Sequence, residues 1–370
     1  MKTLAIFGST GSIGRQTLEV LDAFPGEFKV LALTAYSQRD LLEEQAQKHG
    51  AKAFLIPTHE EIAAVVEQAD FIINALPGFV GLDVSLATVQ AGKTLLSANK
   101  ESLAIAGKWL RQLAEKTGSK IYPLDSEASA LWQLMDEFGP EALSSITLTC
   151  SGGPFYGKKA AELVGVTVKE ALNHPTWKMG AKVSLDSATL INKVLEVYEV
   201  HQLFDIPLKD IHIVIHQQSL VHALIHTKTG ATKMHLAPKD MRFFIAHALF
   251  YPNKVTLPWK APRLRRSELT FSQADPETFR SLKWLHKHKG NPNFPIVLNA
   301  MNDFATAEFL AGRLGFLDIY ACIEDGLQRF LWAQPPQSLQ EAIAFHHSIT
   351  TYYEQCDSFG RREIPESQAK

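Results

Sequence analysis

Short apolar runs alternate with amphipathic stretches through the first 125 residues. The runs are Thr3–Phe7, Phe28–Thr34, Ala53–Ile56, Phe71–Asn74, Thr94–Ser97 and Lys120–Pro123, each short and rich in strand-forming residues. Between them lie Gly14–Ala23, Arg39–His49, Val84–Ala91 and Ala106–Lys116, with apolar positions at the spacing of a helix that buries one face. This alternation predicts βαβ units on a doubly wound parallel sheet. A second α/β segment follows, with strands expected at Ile146–Cys150, His212–Ile215, Val221–Ile225 and Thr232–Leu236. From Tyr251 to Pro276 proline and basic residues dominate, which reads as a connection between domains. Helical patterns from Glu277 to Glu354 predict a C-terminal helical bundle, and the last dozen residues are polar. The expected division is 1–125, a central α/β catalytic domain 126–260, a linker 261–276, a helical domain 277–358 and a disordered tail 359–370.

The stretch His174–Glu196 does not fit a plain core helix. Ser187 sits where a helix would begin, and Leu190, Ile191, Val194, Leu195, Val197 and Tyr198 cover most of its circumference. The remaining stripe holds Thr189, Asn192, Lys193, Glu196 and Glu199, at spacings that share one face. A helix this apolar is buried, so its lysine and carboxylates need partners. Ser187 and the free N–H groups of a first turn suit an anion, and Lys193 adds charge nearby. A solvated face carrying a Lys–Glu pair explains the same residues.

At 370 residues, 46% hydrophobic and 21% charged, the chain has the composition of a globular protein with ample core. A net charge of −2 gives no reason to expect nucleic acid as a partner. The absence of ~18 uninterrupted apolar residues argues against a membrane span. Three scattered cysteines, Cys150, Cys322 and Cys356, do not make a disulfide framework or a zinc site. The N-terminal apolar run continues into a glycine-rich turn and reads as a first strand rather than a signal peptide, so the cytoplasm is the expected location.

That turn, Gly8-Ser-Thr-Gly11-Ser-Ile-Gly14, opens a helix directly after the first strand. Glycines there permit close approach of a pyrophosphate to a helix N-terminus, a variant of the Rossmann-like dinucleotide fingerprint. The carboxylate that would hold an NAD ribose is missing after the second strand, where Tyr36-Ser37-Gln38-Arg39 stands. Ser37 and Arg39 suit a 2′-phosphate, which favours NADP(H); an exposed Arg39 without a ligand is the alternative. Asp125-Ser126-Glu127 follows the strand Lys120–Pro123, at the sheet edge where such folds bind ligands. With Glu196 they offer three oxygen ligands, suited to Mg2+ or Mn2+, with Co2+ a further candidate. N-capping of the next helix explains Asp125 or Ser126 equally well. Cys150-Ser-Gly-Gly-Pro154 is a second small-residue turn able to present Ser151 to an anion.

Together GSTGSIG (Gly8–Gly14), SANKESL (Ser97–Leu103), LDSEASA (Leu124–Ala130), SGGPF (Ser151–Phe155) and His174–Glu196 resemble the 1-deoxy-D-xylulose 5-phosphate reductoisomerase family along nearly the whole chain. The resemblance implies an NADPH- and metal-dependent enzyme that rearranges and reduces a sugar phosphate to 2-C-methyl-D-erythritol 4-phosphate in non-mevalonate isoprenoid synthesis. By position it implies that Asp125, Glu127 and Glu196 hold the metal, with Lys100 beside them moving protons or stabilising charge. It assigns Ser126, Ser151, His174, Ser187, Asn192 and Lys193, together with Lys100, Glu127 and Glu196, to the substrate. Thr10, Gly11, Ser12, Ile13, Asn99, Glu101 and Gly180 are assigned to NADPH, with Ser37, Gln38 and Arg39 at its adenosine end. Residues 174–180 become a lid closed by Trp177. A homodimer is the expectation for such an enzyme.

The chain departs from the family pattern at Tyr36-Ser37-Gln38, at Leu76–Gly81, at Gln217 and Lys239, where proline is usual, and at Met301 and Asp303. Two other readings are a semialdehyde-type NADP-dependent dehydrogenase with Cys150 as nucleophile, and a catalytically degenerate dinucleotide-binding sensor.

Overall fold

The computed structural model describes residues 1–261 and 268–355. Part of the expected linker, the tail, Cys356 and the end of the helical domain lie outside the described residues. The first segment runs β1 (Lys2–Phe7), α1 (Ser12–Ala23), β2 (Phe28–Ala35), α2 (Arg39–His49), β3 (Lys52–Leu55), α3 (His59–Gln68), β4 (Phe71–Asn74), α4 (Gly81–Gln90), β5 (Thr94–Ser97), α5 (Lys100–Thr117) and β6 (Lys120–Pro123). Its strands form one parallel sheet in the order β3-β2-β1-β4-β5-β6. The doubly wound parallel fold expected from the alternation is therefore present. Strand order reverses between β1 and β4, and the crevice beyond the strand ends at that point is where such sheets bind ligands. Both central strands are apolar on both faces because helices cover each side: β4 is buried along its whole length.

The helix α3 had no counterpart among the expected elements, although Thr58 and Glu61 form a reciprocal capping box at its start. Thr58 followed three residues later by Glu61 was the legible signal.

Next come α6 (Ser126–Phe138), β7 (Leu143–Cys150), a one-turn α7 (Val168–Ala171), α8 (Ala181–Ala188), α9 (Ile191–Phe204), β8 (Ile211–Ile215), β9 (Val221–Thr227), β10 (Thr232–Leu236) and α10 (Met241–Phe250). The second sheet, β10-β9-β7-β8, is mixed: β7 and β8 are parallel, and the other pairs antiparallel. Helices α11 (Arg280–His288), α12 (Phe294–Leu310), α13 (Phe316–Phe330) and α14 (Leu339–Gln355) form the C-terminal layer. One apolar core joins that layer to the second sheet, with Leu148, Val194, Leu195, Val297, Leu298 and Tyr320 all buried in it.

Residues 241–259, next to the second sheet in sequence, pack elsewhere. Ile245, Leu249 and Phe250 of α10 are buried against Leu4, Ile6 and Leu33 of the first sheet. The segment therefore crosses back and covers one face of the nucleotide-side sheet.

The structure corrects the helix expected to begin at Ser187. Ser187 lies in the last turn of α8; the chain breaks at Thr189–Leu190, and α9 starts at Ile191. Leu190 adopts the left-handed region at φ 55°, which costs a non-glycine residue about 1–2 kcal/mol. Tertiary contacts hold the break. The Thr189 carbonyl accepts hydrogen bonds from Ser281 Oγ (2.7 Å) and Tyr320 Oη (3.4 Å) of the C-terminal helices. Thr189 Oγ1 donates back to the Leu185 and Asp186 carbonyls.

Candidate active site

A cleft of about 720 Å³ lies between the two sheets and gathers residues from seven separate stretches of chain. At its floor the N-terminus of α5 brings Lys100 beside Asp125, which enters α6, and Glu196 of α9. Lys100 Nζ lies 2.5 Å from Asp125 Oδ1 and 2.6 Å from Glu196 Oε1. Lys193 Nζ is 2.8 Å from Glu127 Oε1 and also pairs with Glu196 Oε2. Asn192 donates to Glu196 Oε1, and Ser126 Oγ donates to Glu127 Oε2 at 2.5 Å. Asp125 occupies the N-cap position of α6, yet its side chain makes no capping bond, so the capping explanation of this residue does not hold.

Two lysines face three carboxylates here, and burial makes the imbalance costly. Burial pulls the Lys100 ammonium down, but Asp125 and Glu196 outweigh it and hold its pKa well above the usual range. Burial also pushes Glu127 up, against Lys193 and Lys100, which win and hold it at about 2. For Asp125 burial prevails over Lys100, and its carboxyl is pushed up to about 7. Glu199, one turn beyond Glu196 and fully buried, is driven well above the carboxylate range by burial and by the charge of Asp125.

Ligand atoms of Asp125, Glu127 and Glu196 all lie within 4.8 Å of one another. Asp125 Oδ2 is buried with no hydrogen-bond partner among the described residues. An all-oxygen donor set with one unsatisfied buried carboxylate oxygen fits a hard divalent cation.

Above this floor the site turns to anion recognition. After β7, Gly152 and Gly153 take positive φ, and a side chain on Gly153 would meet the Ser187 carbonyl at 2.5 Å. Only glycine lets this turn pack on the end of α8, which brings Ser151 and Ser187 to the same cleft. His174 Nδ1 accepts from the N–H groups of Thr176 (3.2 Å) and Trp177 (2.9 Å). Its proton is therefore on Nε2, which donates to Ser151 Oγ at 3.0 Å. Burial holds the His174 pKa down at about 4, so the ring is neutral. On this wall of the cleft the positive helix end is that of α9, where Leu190, Asn192 and Lys193 lie.

Residues 174–180 arch across the opening. Ser12 Oγ of the glycine turn donates to the Lys178 carbonyl (3.4 Å), and Thr176 Oγ1 is 3.4 Å from Ser219 Oγ. Trp177 meets the ring of His222 edge-on at 6.1 Å. Gly180 starts α8.

On the nucleotide side Ser12 and Ile13 line the cleft, and the first turn of α1 has no side-chain cap. A side chain at Gly14 would lie 2.3 Å from the Gly8 carbonyl. Close packing of turn on helix thus requires glycine and leaves the helix end open to an anion, which fits a pyrophosphate. Thr10 is buried and Gly11 exposed in the same turn. Ser37, Gln38 and Arg39 are exposed beyond β2, outside the cleft lining; Arg39 lies 3.6 Å from Glu43, and Tyr36 is 78% exposed. Asn99 and Glu101 are also outside the lining. Asn99 caps α5 through Ser102 N and donates to the Leu76 and Gly78 carbonyls, while Glu101 accepts from Gly78 N.

Sequence reasoning missed Arg15, His222, Lys239, Met241 and Arg242, which also line the cleft. Only Arg15 carried a local signal, one residue after the glycine turn. Cys150 is buried, its pKa pushed up to about 11 by burial, and its Sγ lies 3.6 Å from the Val214 carbonyl. It is a thiol, not an activated nucleophile.

Comparison with known proteins gives the family. The 1-deoxy-D-xylulose 5-phosphate reductoisomerase family matches residues 4–68 and 58–107; its C-terminal domain families match residues 121–204 and 236–352. The reductoisomerase of Thermomicrobium roseum is 42% identical over 363 residues, covering 92% of this chain and 94% of that one. That of Aquifex aeolicus is 36% identical, with 92% and 94% covered. A solved reductoisomerase in complex with NADPH, fosmidomycin and magnesium superposes with a TM-score of 0.84 at 30% identity, over 96% of this chain and 98% of that one. The Zymomonas mobilis enzyme in complex with NADPH gives 0.84 at 30% identity, over 95% and 97%.

Proposed function

This chain belongs to the 1-deoxy-D-xylulose 5-phosphate reductoisomerase family, and on that premise we propose how its cleft carries out the NADPH- and metal-dependent conversion of 1-deoxy-D-xylulose 5-phosphate to 2-C-methyl-D-erythritol 4-phosphate. The observation that carries the reading is the carboxylate floor, with its unsatisfied Asp125 oxygen, opening into the same cleft as the serine–asparagine–lysine wall and the glycine turn. Residues 1–125 supply the NADPH site together with Lys100 and Asp125 of the reaction centre, and 126–260 the rest of that centre with its lid; of the helical domain 277–358, the described residues 277–355 brace the latter.

Asp125, Glu127 and Glu196 hold the divalent cation, Mg2+ or Mn2+, which supplies Lewis-acid polarisation of the sugar's oxygens when bound, while NADPH supplies the hydride. Ser151, Ser187, Asn192 and Lys193 bind the phosphate and hydroxyls. His174, neutral and oriented by the two lid N–H groups, presents its Nε2 proton to Ser151, so lid and phosphate wall form one unit. Lys100, charged and set between Asp125 and Glu196, stabilises negative charge as it develops. Trp177 excludes water over the substrate. Thr10, Gly11, Ser12 and Ile13 seat the pyrophosphate, and Ser37, Gln38 and Arg39 receive the adenosine end; Asn99 and Glu101 hold the loop beside the nicotinamide. Fosmidomycin is expected to bind the same cleft as the substrate.

Among the described residues no helix is long and apolar enough to cross a membrane. A cytoplasmic homodimer is the proposed state, because two-fold dimers are the commonest assembly of soluble enzymes.

The test is oxidation of NADPH in the presence of 1-deoxy-D-xylulose 5-phosphate and Mg2+. Turnover is expected, with loss after complete chelation and recovery on adding Mg2+ back. Undiminished turnover after metal removal would overturn the reading, and NADPH binding without oxidation would favour the sensor.

A further inference from the structure

Helix α8 shows the cleft one face and the interior another. Val183 and Ser187, four residues apart, line the cleft. Lys182 and Asp186, also four apart, point away into a polar cage completed by Glu101 and Asp303, in which Lys182, Asp186 and Asp303 have no role in the function described above. Lys182 Nζ lies 2.7 Å from Asp186 Oδ2, 3.2 Å from Asp303 Oδ1 and 3.4 Å from Glu101 Oε1. One of the carboxylates is held from α12 and the other two from the loop after β4. Asn302 of α12 donates to Asp186 Oδ1 at 2.8 Å. Asp303 Oδ2 accepts from Phe79 N at 3.3 Å, and Glu101 Oε1 accepts from Gly78 N at 3.0 Å. Asn99 donates to Glu101 Oε2 at 3.2 Å. A single ammonium thus ties together the first turn after the lid, the loop following β4, the start of α5 and the C-terminal helix α12.

The two ends of this tie belong to different binding events. The loop 75–81 flanks the crevice at the β1/β4 reversal, and a side chain at Gly8 of the glycine turn would meet its Ala75 carbonyl at 2.8 Å. At the other end, Gly180 is both the end of the lid and the N-cap of α8. Movement of loop 75–81 on cofactor binding can reach the lid's hinge through groups bonded to both; the Lys182 cage is one such link, beside the Ser12–Lys178 hydrogen bond between glycine turn and lid.

We propose that Lys182 is a positioning residue that couples occupation of the cofactor crevice to closure of the lid over the substrate cleft, with Asp303 as its anchor on the C-terminal helices. This deepens the reductoisomerase reading and rests on it. Coupling of this kind is a ratio of affinities, typically on the order of 5- to 150-fold, and it acts equally in both directions.

The experiment measures fosmidomycin binding by calorimetry with Mg2+, in the absence and presence of saturating NADPH, on the full chain and three variants. In the unaltered protein NADPH is expected to tighten fosmidomycin binding by on the order of tenfold. In Asp303→Asn, which keeps an acceptor for Phe79 N but breaks the ion pair, that ratio falls by about threefold or more, while NADPH affinity by itself changes little. Lys182→Met removes the ratio altogether, and Lys182→Arg restores most of it, which a merely structural role would not predict. Because Lys182→Met leaves three buried carboxylates without their cation and risks misfolding, Asp303→Asn and Lys182→Arg decide if it does. An affinity ratio near one in the unaltered protein, or an unchanged ratio in Asp303→Asn, overturns the proposal. Turnover of 1-deoxy-D-xylulose 5-phosphate by the unaltered protein is read separately, so failure of the coupling is distinguishable from failure of the reductoisomerase reading.

Discussion

Replacing Glu196 by Gln tests the metal assignment at the residue where burial and charge are most concentrated. Glu196 is 1% exposed and touches Lys100, Lys193 and Asn192. The substitution keeps its volume and removes one negative charge from a cluster of three carboxylates and two lysines. Two lysines then face Asp125 and Glu127, a balanced set, so the fold is expected to survive. The cation loses more. Unit charges ~4 Å apart attract by about 4 kcal/mol at an effective dielectric of ~20. Even half of that, about 2 kcal/mol, weakens cation binding by roughly 30-fold. Turnover is expected to fall further, by at least about 100-fold, because Lys100 and Lys193 lose the carboxylate they share. The assay has three readouts: Mn2+ affinity by electron paramagnetic resonance titration, NADPH affinity by fluorescence, and steady-state turnover. Mn2+ affinity is expected to drop with NADPH affinity unchanged. Near-normal Mn2+ affinity together with near-normal turnover in Glu196→Gln would sink the reasoning.

Leu190→Gly sets backbone strain against packing. Glycine relieves about 1 kcal/mol at φ 55°, but Leu190 is 1% exposed in the main core, and losing such a side chain costs about 3–5 kcal/mol. A net loss of about 2–4 kcal/mol is therefore expected in urea unfolding, and a stabilised variant would show that strain outweighs burial. His346, 2% exposed and stacked on Phe79 at 3.6 Å, has its pKa held down at about 3 by burial. The unfolded state therefore binds more protons below pH ~6.5, and stability falls as pH drops towards the folded value. Relative to His346→Gln, the protein is expected to lose about 2 kcal/mol more between pH 7.5 and 5; parallel pH profiles for the two would contradict it.

Several features were legible because they are written in neighbouring residues. Strand–helix alternation predicted the parallel sheet, and the glycine turn after the first strand marked the helix end open to an anion. Asp125-Ser-Glu127 stood at the sheet edge where ligands bind. For Asp125, however, local sequence left capping and metal binding undecided. Lys100 settles the capping half by holding the carboxylate in an ion pair at 2.5 Å while it makes no capping bond; metal binding is the role proposed above.

The chain by itself determined periodicity, turn chemistry and the set of polar residues that a buried helix had to satisfy. Tertiary structure decided where that helix breaks: the Thr189 carbonyl freed at the break finds its donors on Ser281 and Tyr320, far along the chain. It also sent α10 back onto the first sheet and enclosed Lys182 between three elements. The physical reason is the same in each case. A period or a cap is set by residues within a turn or two of one another, whereas a left-handed leucine or a buried ammonium persists only when distant groups meet its unsatisfied bonds.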